Sequence, residues 1–161
     1  RQKKILRQLV LMQMTSLGAP MIYYGDEVGM WGANDPDDRQ PMLWDDIPYE
    51  QEERDRQGNI RPISRRPDQN ILSFYRKAIQ LRKDHGALRH GTQRWLKSGH
   101  DDVLAFERRQ NHERIAVYFN VAREPRAITP LFAGMDLWNN VPVDKMERAV
   151  EPGGWLIVKK K

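Results

Sequence analysis

A short apolar run, Met21–Tyr24, constrains the fold of this chain more than any other feature. Gly18 and Pro20 end the segment before it, and Gly25 ends the run itself. Because its residues are all apolar or aromatic rather than alternating with polar ones, they predict a parallel strand buried on both faces. The loop that follows, 25–44, is long and carries acids, an arginine and tryptophans, which is typical of a functional loop.

An amphipathic helix is predicted before this strand, over residues 2–17. Ile5, Leu9 and Met12 recur at helical spacing on one face, while the basic residues lie off that face. A helix, a short turn and a buried strand form the repeating unit of an α/β barrel, in which active sites lie at the carboxyl ends of the strands. The loop after Tyr24 is therefore predicted to face a substrate.

A second helix is predicted over residues 70–84, where apolar side chains form a broad stripe. Asp68 is the predicted N-cap of this helix and Gly86 its predicted stop. Residues 45–68, between the loop and this helix, contain few large apolar side chains. Residues 45–68 are therefore predicted to form a surface loop with a short helix near Tyr49–Arg56.

After about residue 90 the sequence pattern changes from helical periodicity to short strand-like runs. Short strand-like runs, separated by turns rich in Gly, Asn, Asp and Pro, predict antiparallel strands with hairpin connections. The predicted fold class is α/β in residues 1–89, followed by an all-β domain, a small antiparallel β-sandwich, in residues 90–161. The predicted strands are Gln93–Leu96, Val103–Arg108, Ile115–Asn120, Arg126–Thr129 and Trp155–Val158.

Composition narrows the class of function. The 161 residues include 27 Lys and Arg against 22 Asp and Glu, a formal net charge of +5. The basic residues are scattered and form no nucleic-acid-binding motif, so we predict no nucleic-acid partner. No apolar run approaches the ~20 residues of a membrane span, so we predict no membrane partner. The chain has no cysteine, and its start at Arg1 inside a predicted helix indicates a fragment of a longer protein, which leaves its cellular location open.

The run from Gly18 to Trp44 resembles the end of the last barrel strand, with its following loop, in the alpha-amylase superfamily (glycoside hydrolase family 13). Residues 74–77 and 81–88 are similar to the last barrel helix of that family. The spacing at 34–36 most resembles the branch containing neopullulanase, cyclomaltodextrinase and maltogenic amylase. The matching loop residues are Gly18, Pro20, Ile22–Glu27, Gly29, Met30, Asp35, Pro36, Arg39 and Trp44.

The resemblance implies the last segment of a (β/α)8 barrel, made of helix, strand, long loop and helix, followed by the β domain that ends this family. It also implies hydrolysis of α-glucans such as starch, pullulan, cyclodextrins or maltooligosaccharides by a retaining mechanism. A non-catalytic amylase-like or carbohydrate-binding protein is the alternative. Only the presence or absence of the catalytic carboxylates distinguishes the two.

Retaining cleavage requires two carboxyl groups about 5 Å apart, one as nucleophile and one as general acid and base. The neighbouring acids Asp26 and Glu27 would point to opposite sides of a strand, so they make a poor catalytic pair. The resemblance places all of the family's catalytic carboxylates on earlier strands, before Arg1. We therefore predict that this chain contains no catalytic residue.

Substrate binding is the role predicted for five loop residues. Carboxylates and arginines bind pairs of sugar hydroxyls, and aromatic faces pack on sugar rings. The resemblance implies that Asp35 and Arg39 contact the sugar on the non-reducing side of the cleavage point, although they could instead pair with each other and brace the loop. Glu27 could contact substrate or brace its neighbours, Tyr24 could belong to the core or to the wall of the site, and Trp31 could stack on a sugar or anchor the loop.

Trp44 has the same two alternatives, a stacking platform or an anchor.

No cofactor and no metal site are predicted. Calcium is common in this superfamily, and Asn34–Asp38 is rich in oxygen ligands, but that run lacks the fixed spacing of a calcium loop. The histidines show no metal-ligand spacing and are predicted to lie at the surface. They are His85, His90, His100 and His112.

Self-association is the last expectation drawn from the sequence. A single barrel strand has two unpaired edges, and the inner faces of the two predicted helices would lack the rest of a barrel. Exposed apolar surface of that size favours association. The isolated chain is therefore predicted to be dimeric or prone to aggregation, unless the β domain covers its helices.

Overall fold

A computed structural model of the chain describes residues 2–30, 32, 39–49, 52–54, 57–62 and 66–161. Its contacts divide the chain into two compact units. Arg1–Pro20 and Lys77–Lys161 form one, called the sheet unit here, and Met21–Arg76 form the other, called the loop unit.

Both predicted amphipathic helices are present. The first, α1, runs over Gln2–Thr15, and the second, α2, over Gln69–Asp84. The carboxylate of Asp68 accepts hydrogen bonds from the backbone N–H groups of Asn70 (3.0 Å) and Ile71 (3.1 Å), so the predicted N-cap of α2 is confirmed. On α1 the apolar stripe is only partly buried, since Ile5 and Leu9 are 47% and 55% exposed.

Gly86 was predicted to stop α2, but it is the first residue of a further short helix. The helix ends at Asp84, and His85 takes an extended conformation with φ −120° and ψ 110°. Gly86 then begins a short helix, α3, over Gly86–His90.

The described strands follow the predicted pattern after residue 90 and add segments that the sequence did not indicate. Within the sheet unit they form a six-stranded antiparallel sheet in the order β3-β4-β5-β10-β7-β8 and a two-stranded antiparallel sheet of β6 and β9. The antiparallel prediction is confirmed, but β7, β8 and β9 were missed. The bounds are β3 Thr92–Trp95, β4 Val103–Gln110, β5 Glu113–Asn120, β6 Arg126–Ile128, β7 Gly134–Asp136, β8 Val141–Val143, β9 Arg148–Val150 and β10 Trp155–Lys160.

The central strands β4 and β5 are covered on both faces. One face meets the β6–β9 pair across an apolar core, and α1 and α3 pack against the other. This explains why β5 reads as a continuous apolar run rather than an alternating one. The core between the two sheets contains Val103, Ala105, Ala116, Tyr118, Ile128, Phe132, Val143, Val150, Leu156 and Val158.

Two buried arginines bind the carboxyl end of α1. Arg82 donates to the carbonyl oxygens of Met14 (2.8 Å) and Ser16 (3.1 Å), and Arg108 donates to that of Thr15 at 2.6 Å. The last carbonyls of a helix have no partner within the helix and carry partial negative charge, so cations stabilise them. Burial and, to a lesser extent, the positive charge of the nearby Arg82 together lower the pKa of Arg108 to about 10.

In the loop unit, the predicted buried strand at Met21–Tyr24 does not form. Residues 21–23 are irregular, and Met21, Tyr23 and Tyr24 are 71%, 52% and 42% exposed. A strand needs a partner for its backbone N–H and C=O groups, and no strand among the described residues pairs with this run. The apolar pattern alone therefore does not produce the element.

The short helix predicted near Tyr49–Arg56 is also wrong over its described part. Glu52–Arg54 is a strand, β1, which pairs antiparallel with β2, Ile60–Pro62. Gly58, between them, has a left-handed φ of 84°. Glycine adopts this conformation without steric cost, which allows the chain to reverse direction here.

Candidate functional site

The residues after the exposed run at 21–24 form a turn rather than the end of a strand. Asp26–Val28 is a single 3₁₀ turn, and Gly25 and Gly29 on either side have left-handed φ angles of 95° and 70°. The N–H of Asp68, the N-cap of α2, donates to the carbonyl oxygen of Val28 at 2.8 Å. The turn is thereby fixed to the start of α2.

Glu27 is half-buried and braces this turn. Its Oε2 atom accepts a hydrogen bond from the backbone N–H of Gly25 at 2.9 Å. Of the two roles considered for Glu27, this contact supports the bracing one. Asp26, its neighbour, is exposed.

Asp26, Glu27 and Tyr75 interact electrostatically, and the sequence did not indicate that they would. Partial burial raises the pKa of Asp26, and the negative charge of Glu27 raises it further. Tyr75 is 4% exposed, and burial, followed by the charges of Asp26 and Glu27, raises its pKa to about 12. The expectation that the two acids would point to opposite sides assumed a strand, whereas they lie on one tight turn.

Tyr24 lies at the surface and holds two parts of the loop together. Its hydroxyl group donates to the carbonyl oxygen of Gln40 at 3.0 Å. Its ring centroid lies 4.9 Å from that of Tyr23, with the two planes tilted by 45°. Because Arg39, which is exposed, immediately precedes Gln40, this hydrogen bond brings the Arg39 backbone beside Tyr24. Tyr24 therefore lies at the surface rather than in a core.

Two of the predicted binding residues, Asp35 and Trp31, lie outside the described residues, as does the whole Asn34–Asp38 run, which is rich in possible calcium ligands. In the part of the chain that the structure describes, no group of three or more His, Cys, Asp or Glu side chains could hold a metal ion. Within the same residues, no helix is both long and apolar enough to span a bilayer.

A cavity of about 570 Å³, called the Trp44 groove here, lies further along the loop unit. Trp44 itself is 54% exposed, and Ile47 is 47% exposed. The hydroxyl group of Tyr49 accepts from the Trp44 N–H and donates to the Met42 carbonyl oxygen, both at 2.9 Å, so it closes this part of the loop on itself. The groove is lined by Trp44, Asp45, Asp46, Ile47, Pro48, Tyr49, Arg66 and Pro67.

The groove combines an exposed indole with charged groups of both signs. A largely exposed tryptophan is available for stacking, so this geometry favours the platform over the anchor for Trp44. Asp45 accepts a hydrogen bond from the Gln69 side chain at 2.6 Å, which restrains one of the carboxylates. Arg66 and Tyr49 were not predicted as site residues, because nothing in the local sequence indicates that they line the same surface.

His85 corrects the expectation that all four histidines lie at the surface. Its side chain is only 13% exposed, and its Nδ1 atom lies 2.7 Å from the Glu113 carboxylate. Glu113 also accepts a hydrogen bond from the N–H of Ala87 at 2.8 Å. This histidine holds the start of α3 to β5 and is not part of the candidate site.

Comparison with known proteins supports the resemblance found in the sequence. A sequence profile for the family described as "Alpha amylase, catalytic domain" matches residues 1–91. Neopullulanase 2 of Thermoactinomyces vulgaris is 36% identical over 123 residues, which are 76% of this chain and 18% of that protein. A cyclomaltodextrinase of Bacillus sp. is 34% identical over 119 residues, which are 73% of this chain and 18% of that protein.

A solved structure, the maltogenic amylase from S. marinus, has a TM-score of 0.74 and 28% sequence identity to this chain, covering 98% of this chain and 19% of that one. The chain thus spans about a fifth of the length of the relatives that it matches. The branch indicated by the loop motif is confirmed, since these relatives are a neopullulanase, a cyclomaltodextrinase and a maltogenic amylase. Because the catalytic-domain profile covers more than half of its residues, the chain belongs to the alpha-amylase family.

Proposed function

We propose that this chain is the C-terminal part of a glycoside hydrolase that acts on α-glucans by a retaining mechanism. The match of residues 1–91 to the alpha-amylase catalytic domain carries this proposal. In this assignment residues 1–89 are the final portion of a (β/α)8 barrel and residues 90–161 are the β domain that follows it. The substrates are starch, pullulan, cyclodextrins or maltooligosaccharides.

The chain's own residues bind substrate rather than cleave it. Retaining cleavage needs two carboxyl groups about 5 Å apart on either side of the scissile bond. Glu27 is held by the Gly25 N–H, and its neighbour Asp26 lies on the same tight turn, so this pair is better placed to shape the loop than to flank a sugar. The nucleophile, the general acid and base, and the stabilising aspartate lie upstream of Arg1.

The substrate-facing surface is the loop from Tyr24 to Trp44. Asp35 and Arg39 hydrogen-bond sugar hydroxyls, Tyr24 and Glu27 form and brace the wall, and Trp31 packs on a sugar ring. The hydrogen bond from Tyr24 to Gln40 supports this assignment, because it keeps Arg39 next to an exposed aromatic ring. The exposed Trp44 indole extends the same type of surface.

The test compares this chain with the same protein extended upstream through a complete barrel, assayed on cyclodextrin, pullulan and starch. We expect only the extended protein to release sugar, and the product pattern then identifies the preferred linkage. Cleavage by the 161-residue chain alone would place the catalytic acids between Asp26 and Asp46 and refute the assignment. If neither protein cleaves, the non-catalytic carbohydrate-binding alternative replaces it.

Arg39→Ala tests the binding surface in the extended protein. A guanidinium that binds two hydroxyl groups contributes about 1.5–3 kcal/mol, so we expect KM to rise roughly tenfold or more. Arg39→Lys retains the charge but not the planar fork, and we expect it to recover only part of the affinity. Arg89→Ala is the matched control, because Arg89 is an exposed arginine on α3. Unchanged steady-state kinetics in Arg39→Ala would remove Arg39 from the site.

A further inference from the structure

A cavity of about 470 Å³ lies in the sheet unit and contains none of the residues assigned above to substrate binding. Its walls come from α1, from the segment that joins β7 to β8, and from β9 and β10. Its volume is within the range that small-molecule sites occupy. The lining residues that the following argument uses are Lys4, Arg7, Asp136, Trp138, Asn139, Arg148, Glu151 and Trp155.

Two tryptophans give the cavity an aromatic wall with a fixed shape. The rings of Trp138 and Trp155 have centroids 5.8 Å apart and planes at 87°, an edge-to-face pair. Lys77 holds Trp138 in place: its ammonium nitrogen lies 4.3 Å from the ring centroid and donates to the Trp138 carbonyl oxygen at 2.7 Å. Because the rings are positioned by protein contacts, a ligand would not have to order them on binding.

Asp136 positions the rim beside this wall. It is 3% exposed, and its Oδ1 atom accepts a hydrogen bond from the Trp138 N–H at 3.0 Å. Its Oδ2 atom accepts from the side-chain amide of Asn139 at 2.7 Å. Asp136 therefore acts within the turn, and it places Trp138 and the exposed Asn139 at the edge of the cavity.

The rest of the rim carries charges of both signs. Arg148 reaches it from β9, with its guanidinium 2.8 Å from the Asp144 carboxylate and its side chain 32% exposed. Lys4 and Arg7 contribute positive charge from α1, and Glu151 contributes an exposed carboxylate. The acids offset much of the positive charge, so the rim suits a neutral ligand with many hydroxyl groups better than a multiply charged anion.

We propose that this cavity, the Trp138 site, binds a short segment of an α-glucan chain. The apolar face of a sugar ring packs on the indoles, and its hydroxyl groups bond with Asn139, Arg148 and Glu151. The choice of glucan rests on the proposed function, which supplies this substrate class. In the complete protein the site would hold part of a long glucan and so raise the local concentration of the polymer.

The experiment uses the protein extended upstream and measures two quantities. One is the affinity for insoluble starch, from depletion of protein from solution, and the other is kcat/KM for maltotriose, which is too short to benefit from a separate holding site. We expect Trp138→Ala to weaken starch binding roughly tenfold, the loss of about 1.4 kcal/mol, and to leave kcat/KM for maltotriose within about twofold. Trp138→Phe retains an aromatic face, so we expect its affinity for starch to fall only about threefold.

Trp95→Ala is the matched control, because Trp95 is 65% exposed on β3 and does not line the cavity. Near-UV circular dichroism reports whether each variant is folded. Arg148→Met retains the aromatic wall and most of the side-chain stem. It too is expected to weaken starch binding without changing kcat/KM for maltotriose.

The two ways of failing are distinguishable. If the wild-type protein cleaves glucans but Trp138→Ala and Arg148→Met bind starch as tightly as wild type, the Trp138 site is refuted and the proposed function stands. An equal loss in Trp138→Ala and Trp95→Ala, or a parallel loss of maltotriose hydrolysis, also refutes the site. If the wild-type protein neither binds nor cleaves any α-glucan, the proposed function fails and the glucan site fails with it.

Discussion

Glu113, at the start of β5, joins three separate parts of the sheet unit, and replacing it with glutamine should reveal what that junction contributes. Its carboxylate accepts a hydrogen bond from the N–H of Ala87 at 2.8 Å and lies 2.7 Å from His85 Nδ1. The ammonium nitrogen of Lys159, on β10, lies 3.0 Å away. In Glu113→Gln the shape is nearly retained, but the charge that serves all three partners is lost.

The size of the effect follows from the pKa of Glu113. Burial by itself would raise that pKa, but the Ala87 N–H, His85 and Lys159 outweigh burial and lower it from 4.5 to about 2. At about 1.4 kcal/mol per pH unit, this difference corresponds to an upper value of about 3 kcal/mol in the free energy of unfolding. Lys159 is 40% exposed and its contribution is screened by solvent, so we expect about 2 kcal/mol at neutral pH.

The effect has a defined pH dependence. Because the pKa is lower in the folded state, the unfolded state takes up a proton first as the pH falls. The stabilisation by Glu113 is therefore complete above pH 4.5 and is lost between about pH 4.5 and pH 2. Urea unfolding of the wild-type and Glu113→Gln chains, followed by circular dichroism between pH 7 and pH 3, should show the difference in unfolding free energy shrinking as the pH falls.

Glu124→Gln is the control, since Glu124 is 77% exposed and the ion pair that it forms with Arg126 is 3.5 Å long. Its unfolding free energy should match wild type at every pH, because exposed ion pairs contribute little. A difference between wild type and Glu113→Gln that stays constant down to pH 3 would show that shape rather than charge is responsible. Equal unfolding free energies of wild type and Glu113→Gln at pH 7 would refute the claim that Glu113 stabilises the sheet unit.

Further predictions concern the helix ends and the state of the isolated chain. Asp68→Ala removes the N-cap of α2 and should lower the free energy of unfolding by about 1 kcal/mol. Asp68→Asn should restore most of that stability, because asparagine also caps helices, and thermal unfolding of the two variants measures the difference. Arg108→Met leaves the Thr15 carbonyl and the Gly91 carbonyl without their buried donor, and we expect a loss of about 3 kcal/mol in urea unfolding. The isolated chain should self-associate, since Met21 and Leu9 are among its exposed apolar residues, and a sharp monomer peak in sizing chromatography would contradict this.

The elements that the sequence determined are those set by local contacts. The helix α2 was predicted from its apolar stripe and from Asp68, and the N-cap bonds reach only Asn70 and Ile71. The hairpin of β4 and β5 was predicted from two apolar runs separated by a short turn, and its register pairs residues that are close in sequence. Periodicity, capping and turn chemistry act over a few residues, so they can be read directly.

The candidate site was only partly predictable. The loop motif identified the family, and with it Tyr24, Glu27 and Arg39 as residues of interest. It did not indicate that Tyr75 would interact with the carboxylates of the turn, nor that Arg66 would line a groove with Trp44. Those relationships join residues more than 20 positions apart in the sequence, and no local pattern encodes them.

Tertiary structure decided the rest, and the reason is the same in each case. Met21–Tyr24 has the composition of a buried strand, yet it remains irregular because no described strand pairs with it. Conversely β7, only three residues long, becomes a strand because β10 supplies its hydrogen bonds on one side and β8 on the other. A helix satisfies its backbone groups within its own segment, whereas a strand depends on a partner that can lie anywhere in the chain. The sequence by itself therefore determined α1, α2, the β4–β5 hairpin and the family. Only the tertiary structure decided which remaining segments became strands and which side chains met in a groove.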